Sequence, residues 1–115
     1  MPLIKLQTQV PIADENREKL QKALSKIICS CIGKPEQYVM VCLDSSALMF
    51  AGIGGNAAFA EVRSIGGLSP AVNKKISSEI CQYLDEFLEI PPERVFINFL
   101  ELSAQNWGWK GSTFG

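Results

Sequence analysis

The sequence predicts an α+β fold, an α/β sandwich in which a four-stranded sheet carries two helices on one face. The first observation is that two amphipathic stretches align with one another. The aligned apolar positions are Leu20, Leu24 and Ile28 in the first stretch and Ile76, Ile80 and Leu84 in the second. The second observation is a Pro-Glu pair after each stretch, at which a strand-like run begins. The third is a strand-like run before each stretch. We therefore predict two tandem β-α-β units.

The first unit is predicted to begin with a strand over Leu3 to Thr8. A helix follows from about Asp14, a suitable N-cap, to Ile32, and Gly33 is a suitable C-terminal stop. Its apolar stripe consists of Leu20, Ala23, Leu24, Ile27, Ile28 and Cys31. A second strand is predicted over Tyr38 to Leu43.

The second unit repeats this order. A strand is predicted over Ala58 to Ile65, and a helix from Ser69 to Leu88, in which Pro70 takes the first helical position. The stripe of this helix consists of Val72, Ile76, Ile80, Leu84 and Phe87. Pro91-Pro92 is expected to end the helix, and the last strand is predicted over Val95 to Leu100.

Each unit should hold two parallel strands with a right-handed crossover, so both helices pack on one face of the sheet. Strand positions assigned to the other face are apolar: Val39, Val41, Phe59, Val95, Ile97 and Phe99. Because no further element is left to cover them, we expect a partner, most simply copies of the same chain with their sheets facing inward. The Met49-Phe50 run and the tail around Trp107 to Trp109 are candidates for edge strands between subunits.

Size and composition indicate a single domain over residues 1–115, with 47% hydrophobic residues. Basic and acidic residues nearly cancel, 11 against 12, without a basic cluster, so nucleic acid is not an expected partner. No run reaches the roughly 20 apolar residues of a membrane span, and the N-terminus lacks a signal-peptide pattern. We expect a cytoplasmic protein.

The four cysteines are expected to be buried, reduced thiols. Cys29, Cys31, Cys42 and Cys81 form no C-x-x-C pair, and the chain has no histidine to complete a zinc site. We therefore expect no metal, no cofactor and no redox function.

Pro2 is the candidate for base chemistry. Removal of Met1 would leave a secondary amine at the start of an ordered strand, in a chain without histidine. An α-amino group titrates near pH 8, and an apolar pocket or a nearby cation lowers its pKa. If Met1 stays attached, the Pro2 nitrogen is an amide and cannot act as a base.

Two further segments are candidates for binding an acid. Lys34 stands between Gly33 and Pro35 at a helix end, where it is either a carboxylate anchor or an ordinary surface lysine. The Ser64-Ile65-Gly66-Gly67 segment either presents backbone N–H groups to an anion or is an ordinary loop. It matches no phosphate-binding motif. In the aromatic tail, Trp107 and Trp109 are either interface anchors or pocket walls.

These motifs stand in register with those of a known family. They are Met1-Pro2, Gly33-Lys34-Pro35, Ser64-Ile65-Gly66, Arg94 to Asn98, and Gly108-Trp109 with Ser112-Thr113-Phe114. Together they resemble the macrophage migration inhibitory factor family of the tautomerase superfamily, over essentially the whole chain. The resemblance implies tandem β-α-β units assembled as a homotrimer.

The resemblance also implies an activity, the interconversion of enol and keto forms of aryl pyruvates such as phenylpyruvate, with Pro2 as catalytic base. Lys34 and the Ile65 backbone N–H, beside Ser64, would hold the substrate carboxylate. The apolar pocket would be shaped by Tyr38, Trp109 and Phe114, and a neighbouring subunit would supply Phe96 and Asn98.

Three positions depart from the family pattern. Phe96 stands where mammalian members carry tyrosine, and Trp107 replaces a smaller aliphatic residue beside the pocket. The segment Ala57 to Ala60 occupies the place of a C-x-x-C, so thiol oxidoreductase activity is not expected. We expect weak to moderate tautomerase activity.

Two other interpretations stay open. The chain is alternatively an interaction or signalling protein, a cytokine-like scaffold that retains vestigial activity. The other is decarboxylation or dehalogenation of a small acid. It ranks low because superfamily members with those reactions generally use arginines near the proline, and this chain has few. The arginines of this chain are Arg17, Arg63 and Arg94.

Overall fold

A computed structural model describes residues 1–115. The main elements are β1 (Leu3–Thr8), α1 (Asp14–Ile32), β2 (Met40–Ser45), β3 (Ala58–Ser64), α2 (Pro70–Leu88), β4 (Val95–Glu101), β5 (Gly108–Trp109) and β6 (Ser112–Thr113). Short 3-10 turns lie at Glu36–Tyr38, Pro92–Arg94 and Ala104–Asn106. Neither long helix is apolar enough to span a membrane.

The main sheet has the strand order β2-β1-β3-β4. β1 is parallel to β2 and β3 is parallel to β4, while the central pair β1 and β3 is antiparallel. This is the arrangement expected for two tandem β-α-β units, and it confirms the predicted fold class. β5 and β6 form a separate two-stranded hairpin near the C-terminus.

The helix ends agree with the sequence signals except at two positions. Ser69 caps α2 as predicted, because its hydroxyl oxygen accepts the Val72 N–H at 3.1 Å. The N-cap of α1, however, is Ala13 rather than Asp14. Asp14 lies in the first helical turn, where its carboxylate pairs with Arg17 at 3.4 Å instead of capping.

The C-terminal ends of both helices use a left-handed residue. Gly33 ends α1 with φ of 77°, as predicted. α2 ends at Leu88 because Glu89 takes φ of 57°, before the chain reaches Pro91-Pro92. The two prolines were therefore the wrong stop signal, although they do lie just beyond the helix end.

Strand boundaries differ slightly from the prediction. Tyr38 belongs to a 3-10 turn in which its N–H donates to the Pro35 carbonyl at 3.1 Å, so β2 begins only at Met40. β3 ends at Ser64, and β4 extends to Glu101. These shifts place Tyr38 and Ile65 in loops at the same end of the sheet as Pro2.

The core lies between the sheet and the two helices. The six aligned positions that predicted the repeat are all fully buried, and Ile4, Leu6, Ala60 and Val62 pack against them from the central strands. Burying each large aliphatic side chain contributes about 1.5–3 kcal/mol. The four cysteines are free, as expected, but only half-buried rather than buried.

The face of the sheet away from the helices differs from the prediction. Val95, Ile97 and Phe99 pair in register with buried Ala58, Ala60 and Val62, so they face the helices. Val41, opposite Ile4, also faces them, and Val39 packs against the core. Of the six apolar positions assigned to the open face, only Phe59 lies there, because side-chain alternation alone does not show which face the helices cover.

The open face is therefore mixed in character. Its residues are Leu3, Lys5, Gln7, Met40, Cys42, Asp44, Phe59, Glu61, Arg63, Phe96, Asn98 and Leu100. Two ion pairs lie on it, Lys5 with Asp44 at 3.8 Å and Arg63 with Glu61 at 3.5 Å. Phe96 is 63% exposed and Leu100 is 50% exposed.

The segments proposed as edge strands between subunits find partners within the chain. Trp109 pairs with Ser112 in the C-terminal hairpin. Phe50 forms only an isolated bridge with Ile53, and Arg94 holds that turn by donating to the carbonyls of Ile53 and Asn56, both at 2.8 Å.

Candidate active site

A cavity of about 550 Å³ opens at the start of β1. Its floor is one row across the open face of the sheet, in which Met40, Leu3 and Arg63 are register neighbours. The 3-10 turn before β2 and the C-terminal hairpin form its walls. Five of the residues predicted for the site line it: Pro2, Tyr38, Trp107, Trp109 and Phe114.

Pro2 lies at the head of the central strand and is fully buried. Its carbonyl accepts the Met40 N–H at 3.1 Å, which extends the β1–β2 pairing by one residue and holds the proline in place. In the full chain, Met1 is attached and the Pro2 nitrogen is an amide. Both residues line the cavity.

The Met1 amino group shows what this location does to an amine. Burial lowers its pKa below the usual value, and the neighbouring Lys34 lowers it further through its charge and a hydrogen bond. Both causes disfavour the protonated amine. Lys34 therefore lies beside the amine that lines the cavity, and an amine here is a free base at lower pH than an amine in water.

Lys34 joins the end of α1 to the end of β3. Its ammonium group donates to the Ile65 carbonyl at 2.6 Å and is partly buried. The Ile65 N–H donates to no group in the chain. An ammonium group and an unpaired backbone N–H therefore lie at the same loop, which is a suitable arrangement for a carboxylate.

Ser64, which was predicted as a substrate-binding residue, is not among the residues that line the cavity. Its side chain is fully buried, and its hydroxyl donates to the Gly66 carbonyl at 2.6 Å. In this chain the serine holds the loop that carries Ile65.

Gly67 allows this loop to pass close to the end of α1. Its φ is +82°, and a Cβ there would lie 2.6 Å from Cγ2 of Ile32, whereas Gly66, with φ of +71°, has no atom within 4 Å. We expect Gly66→Ala to cost about 1–2 kcal/mol of stability through left-handed strain. Gly67→Ala should cost about 1 kcal/mol more because of the added steric overlap. Denaturant unfolding measures both, and equal losses would contradict the close approach.

The aromatic walls are assembled from distant parts of the chain. The Trp109 and Phe114 rings stack with centroids 5.4 Å apart, and Tyr38 meets Trp109 edge-on at 6.1 Å. Trp107 is half-buried, and its carbonyl accepts the Phe114 N–H at 3.2 Å. The structure thus brings together the three residues predicted to shape the apolar pocket.

Phe96 and Asn98 do not line the cavity of their own chain. Both lie exposed on the open face, where the Phe96 ring contacts Phe50 with centroids 4.7 Å apart. Their predicted contribution to a site depends on a neighbouring subunit.

Several lining residues were not predicted as site residues. The polar ones are Arg63, Gln37 and Asn106, and the apolar ones include Leu3, Val39, Met40 and Leu102. Gln37 and Asn106 lie in 3-10 turns, directly before the aromatic residues Tyr38 and Trp107. No local sequence signal marks either of them as a lining residue. For Arg63 the sequence shows only a charged residue just before the Ile65 loop, and alternation along the strand does not tell on which face it lies.

The charge of the cavity favours acids. No aspartate or glutamate lines it, whereas Arg63 and the N-terminal amine do, and Lys34 adjoins that amine. No group of three or more metal-ligating side chains is assembled in the chain. The geometry is suited to binding an aromatic acid beside a nitrogen base.

Comparisons with known proteins match this arrangement over the whole chain. Residues 1–115 match the family model described as macrophage migration inhibitory factor. The rat macrophage migration inhibitory factor is 36% identical over 115 residues, covering 99% of each chain. The crystal structure of a homologue from Prochlorococcus marinus has a TM-score of 0.93 and 36% identity, covering 98% of this chain and 99% of that one. A macrophage migration inhibitory factor-like protein from Entamoeba histolytica has a TM-score of 0.94 at 28% identity, covering 98% of each.

Proposed function

Because the chain belongs to the macrophage migration inhibitory factor family of the tautomerase superfamily, we propose that it interconverts enol and keto forms of aryl pyruvates such as phenylpyruvate. The observation that carries this proposal is the aromatic cavity that Pro2 lines at the head of β1, with Lys34 held at the adjoining Ile65 loop. The pKa of the Met1 amine is lowered by burial and then by Lys34, which is the direction that favours a base at this place.

The base is the secondary amine of Pro2, which forms when Met1 is removed. In ketonisation, the Pro2 nitrogen takes the proton from the enol hydroxyl and returns a proton to the adjacent carbon, while the C–C double bond becomes a C–O double bond. No electron leaves or enters the substrate, so the reaction needs no cofactor. A positioned base of this kind contributes about 10²–10⁴-fold.

Binding is supplied by groups on both sides of Pro2. The Lys34 ammonium and the Ile65 N–H hold the substrate carboxylate, and the ring of the substrate packs among Tyr38, Trp109 and Phe114. Lys34 gives up its contact with the Ile65 carbonyl, or shares it, when the acid binds. Trp107 narrows the cavity, which is our reason for proposing weak to moderate turnover.

The direct test is ketonisation of phenylenolpyruvate by protein whose intact mass proves that Met1 is gone. Saturable turnover is expected. A rate no greater than that of buffer would refute the proposed activity, and comparison with Met1-retaining protein controls for the state of the N-terminus.

We also propose a homotrimer, with the open faces of the sheets turned inward. Its support is the exposed Phe96 and Leu100 on that face, together with the site role implied for Phe96 and Asn98. Sedimentation should give three times the 12.6 kDa chain mass. Leu100→Glu should dissociate the assembly, because a carboxylate is costly to bury unpaired, whereas Lys26→Glu on the exposed side of α1 should not. A monomer at micromolar concentration would contradict the proposal.

An interaction role is the second candidate. Met49 is 72% exposed and Ile53 is 62% exposed, beside the Phe50–Phe96 pair. Exposed apolar side chains grouped in this way favour protein contacts. Slow turnover on every keto acid tested would favour this role over a metabolic one.

A further inference from the structure

Arg63 is a charged group of the cavity that the proposed reaction does not use. It is the only lysine or arginine side chain among the lining residues, and its side chain is 44% exposed. Its register neighbours are Leu3 on β1 and Leu100 on β4, both on the open face. The guanidinium therefore belongs to the open face at the head of the sheet.

The two cations of the site reach it from opposite layers of the fold. Lys34 comes from the end of α1, on the helix side, and contacts the Ile65 carbonyl. Arg63 comes from β3 on the open side, since the adjacent Val62 and Ser64 are buried toward the helices. Arg63 lines the cavity, and Lys34 adjoins it beside the Met1 amine, so an acid in the cavity has a cation on each layer of the fold.

The hydrogen-bonding capacity of Arg63 is mostly unused. One guanidinium nitrogen lies 3.5 Å from a carboxylate oxygen of Glu61, and no hydrogen bond joins the guanidinium to another group of the chain. Guanidinium has five N–H donors that suit a carboxylate in bidentate geometry. A partly exposed ion pair of this kind is weak, so Glu61 orients the guanidinium without saturating it.

We propose that the site is selective for dicarboxylates, namely aryl keto or enol acids with a second carboxylate at the far end of the ring. The first carboxylate lies at Lys34 and the Ile65 N–H, the ring packs against the aromatic wall of Tyr38, Trp109 and Phe114, and the second carboxylate binds Arg63. The cavity volume of about 550 Å³ accommodates such a molecule. This inference rests on the proposed function for the placement of the first carboxylate.

The test uses binding, so that it does not depend on turnover. Calorimetric titration compares 4-carboxycinnamate with 4-carbamoylcinnamate, two unreactive planar acids that differ in the charge of the far group. The protein should prefer the dicarboxylate by about two- to fivefold in Kd, the value of a partly exposed ion pair. Arg63→Gln should remove that preference, and Arg63→Lys should retain part of it. Arg17→Gln, at an exposed arginine of α1, is the matched control and should retain it fully.

Glu61→Gln gives a second test in the opposite direction. Removing the competing carboxylate should raise the preference for the dicarboxylate a few-fold. The inference is overturned if the unsubstituted protein binds the two ligands with equal Kd. It is also overturned if Arg63→Gln keeps the same preference for the dicarboxylate as the unsubstituted protein. Either result counts even if phenylenolpyruvate is turned over. If Arg63→Gln loses the preference for the dicarboxylate and Arg17→Gln keeps it, the inference is supported even if no substrate is turned over. The test therefore separates this inference from the proposed activity.

Discussion

Pro2→Ala, in protein freed of Met1, is expected to lower kcat/KM for phenylenolpyruvate by about 10²–10⁴-fold. Alanine leaves a primary amine in place of the secondary one and removes the ring methylenes that are buried around the nitrogen at the head of β1. The carbonyl of residue 2 can still accept the Met40 N–H, so the loss measures the proline amine and its burial rather than the position of the backbone. The measurement is the rate of ketonisation across substrate concentrations.

Two comparisons make this result specific. Pro11→Ala, at an exposed proline in the loop before α1, should retain the activity of the unsubstituted protein. Protein that retains Met1 should lack the turnover that depends on Pro2, because its Pro2 nitrogen is an amide, and any rate that remains belongs to the Met1 amine. Unchanged turnover in Pro2→Ala would refute the proline as the base.

Lys34→Gln is expected to raise KM for phenylenolpyruvate by about ten- to a hundredfold, since the carboxylate loses its charge-assisted partner. A second effect is expected in the pH profile of kcat/KM. The neutral amine is the active form, and burial followed by the Lys34 charge lowers the pKa of an amine at this site. Removing the lysine charge therefore raises that pKa, so the activity lost on acidification is lost at higher pH.

The control for Lys34 is Lys26→Gln, an exposed lysine on the same helix, which should change neither KM nor the pH profile. A raised KM with an unchanged acidic limb would mean that burial alone lowers the pKa of the base. An unchanged KM would refute the lysine as the carboxylate anchor.

Much of the fold was predictable because its signals are local. The bounds of β1 were predicted to the residue and the start of α1 to within one residue, and the Ser69 cap and Gly33 stop lie where their conformational preferences require. Glu89 was missed as a helix end, because a left-handed glutamate has no distinctive sequence signal. The tandem repeat was visible because burial of the same three positions in each helix requires apolar residues there.

The candidate site was predictable only in part. Pro2, Tyr38, Trp107, Trp109 and Phe114 do line one cavity, as expected. The residues Lys34 and Ile65 meet beside it, whereas Phe96 and Asn98 lie on the open face.

The sequence by itself determined the elements, their order, and the apolar residues along each helix that are buried against the sheet. Only the tertiary structure decided which face of β4 the helices cover, how the C-terminal tail folds back on itself, and that Arg63 faces the cavity. Helix periodicity, caps and stops depend on residues a few positions apart, so a short window contains them. The face of a strand and the lining of a cavity depend on the packing of distant segments, and alternation along one strand is compatible with either face.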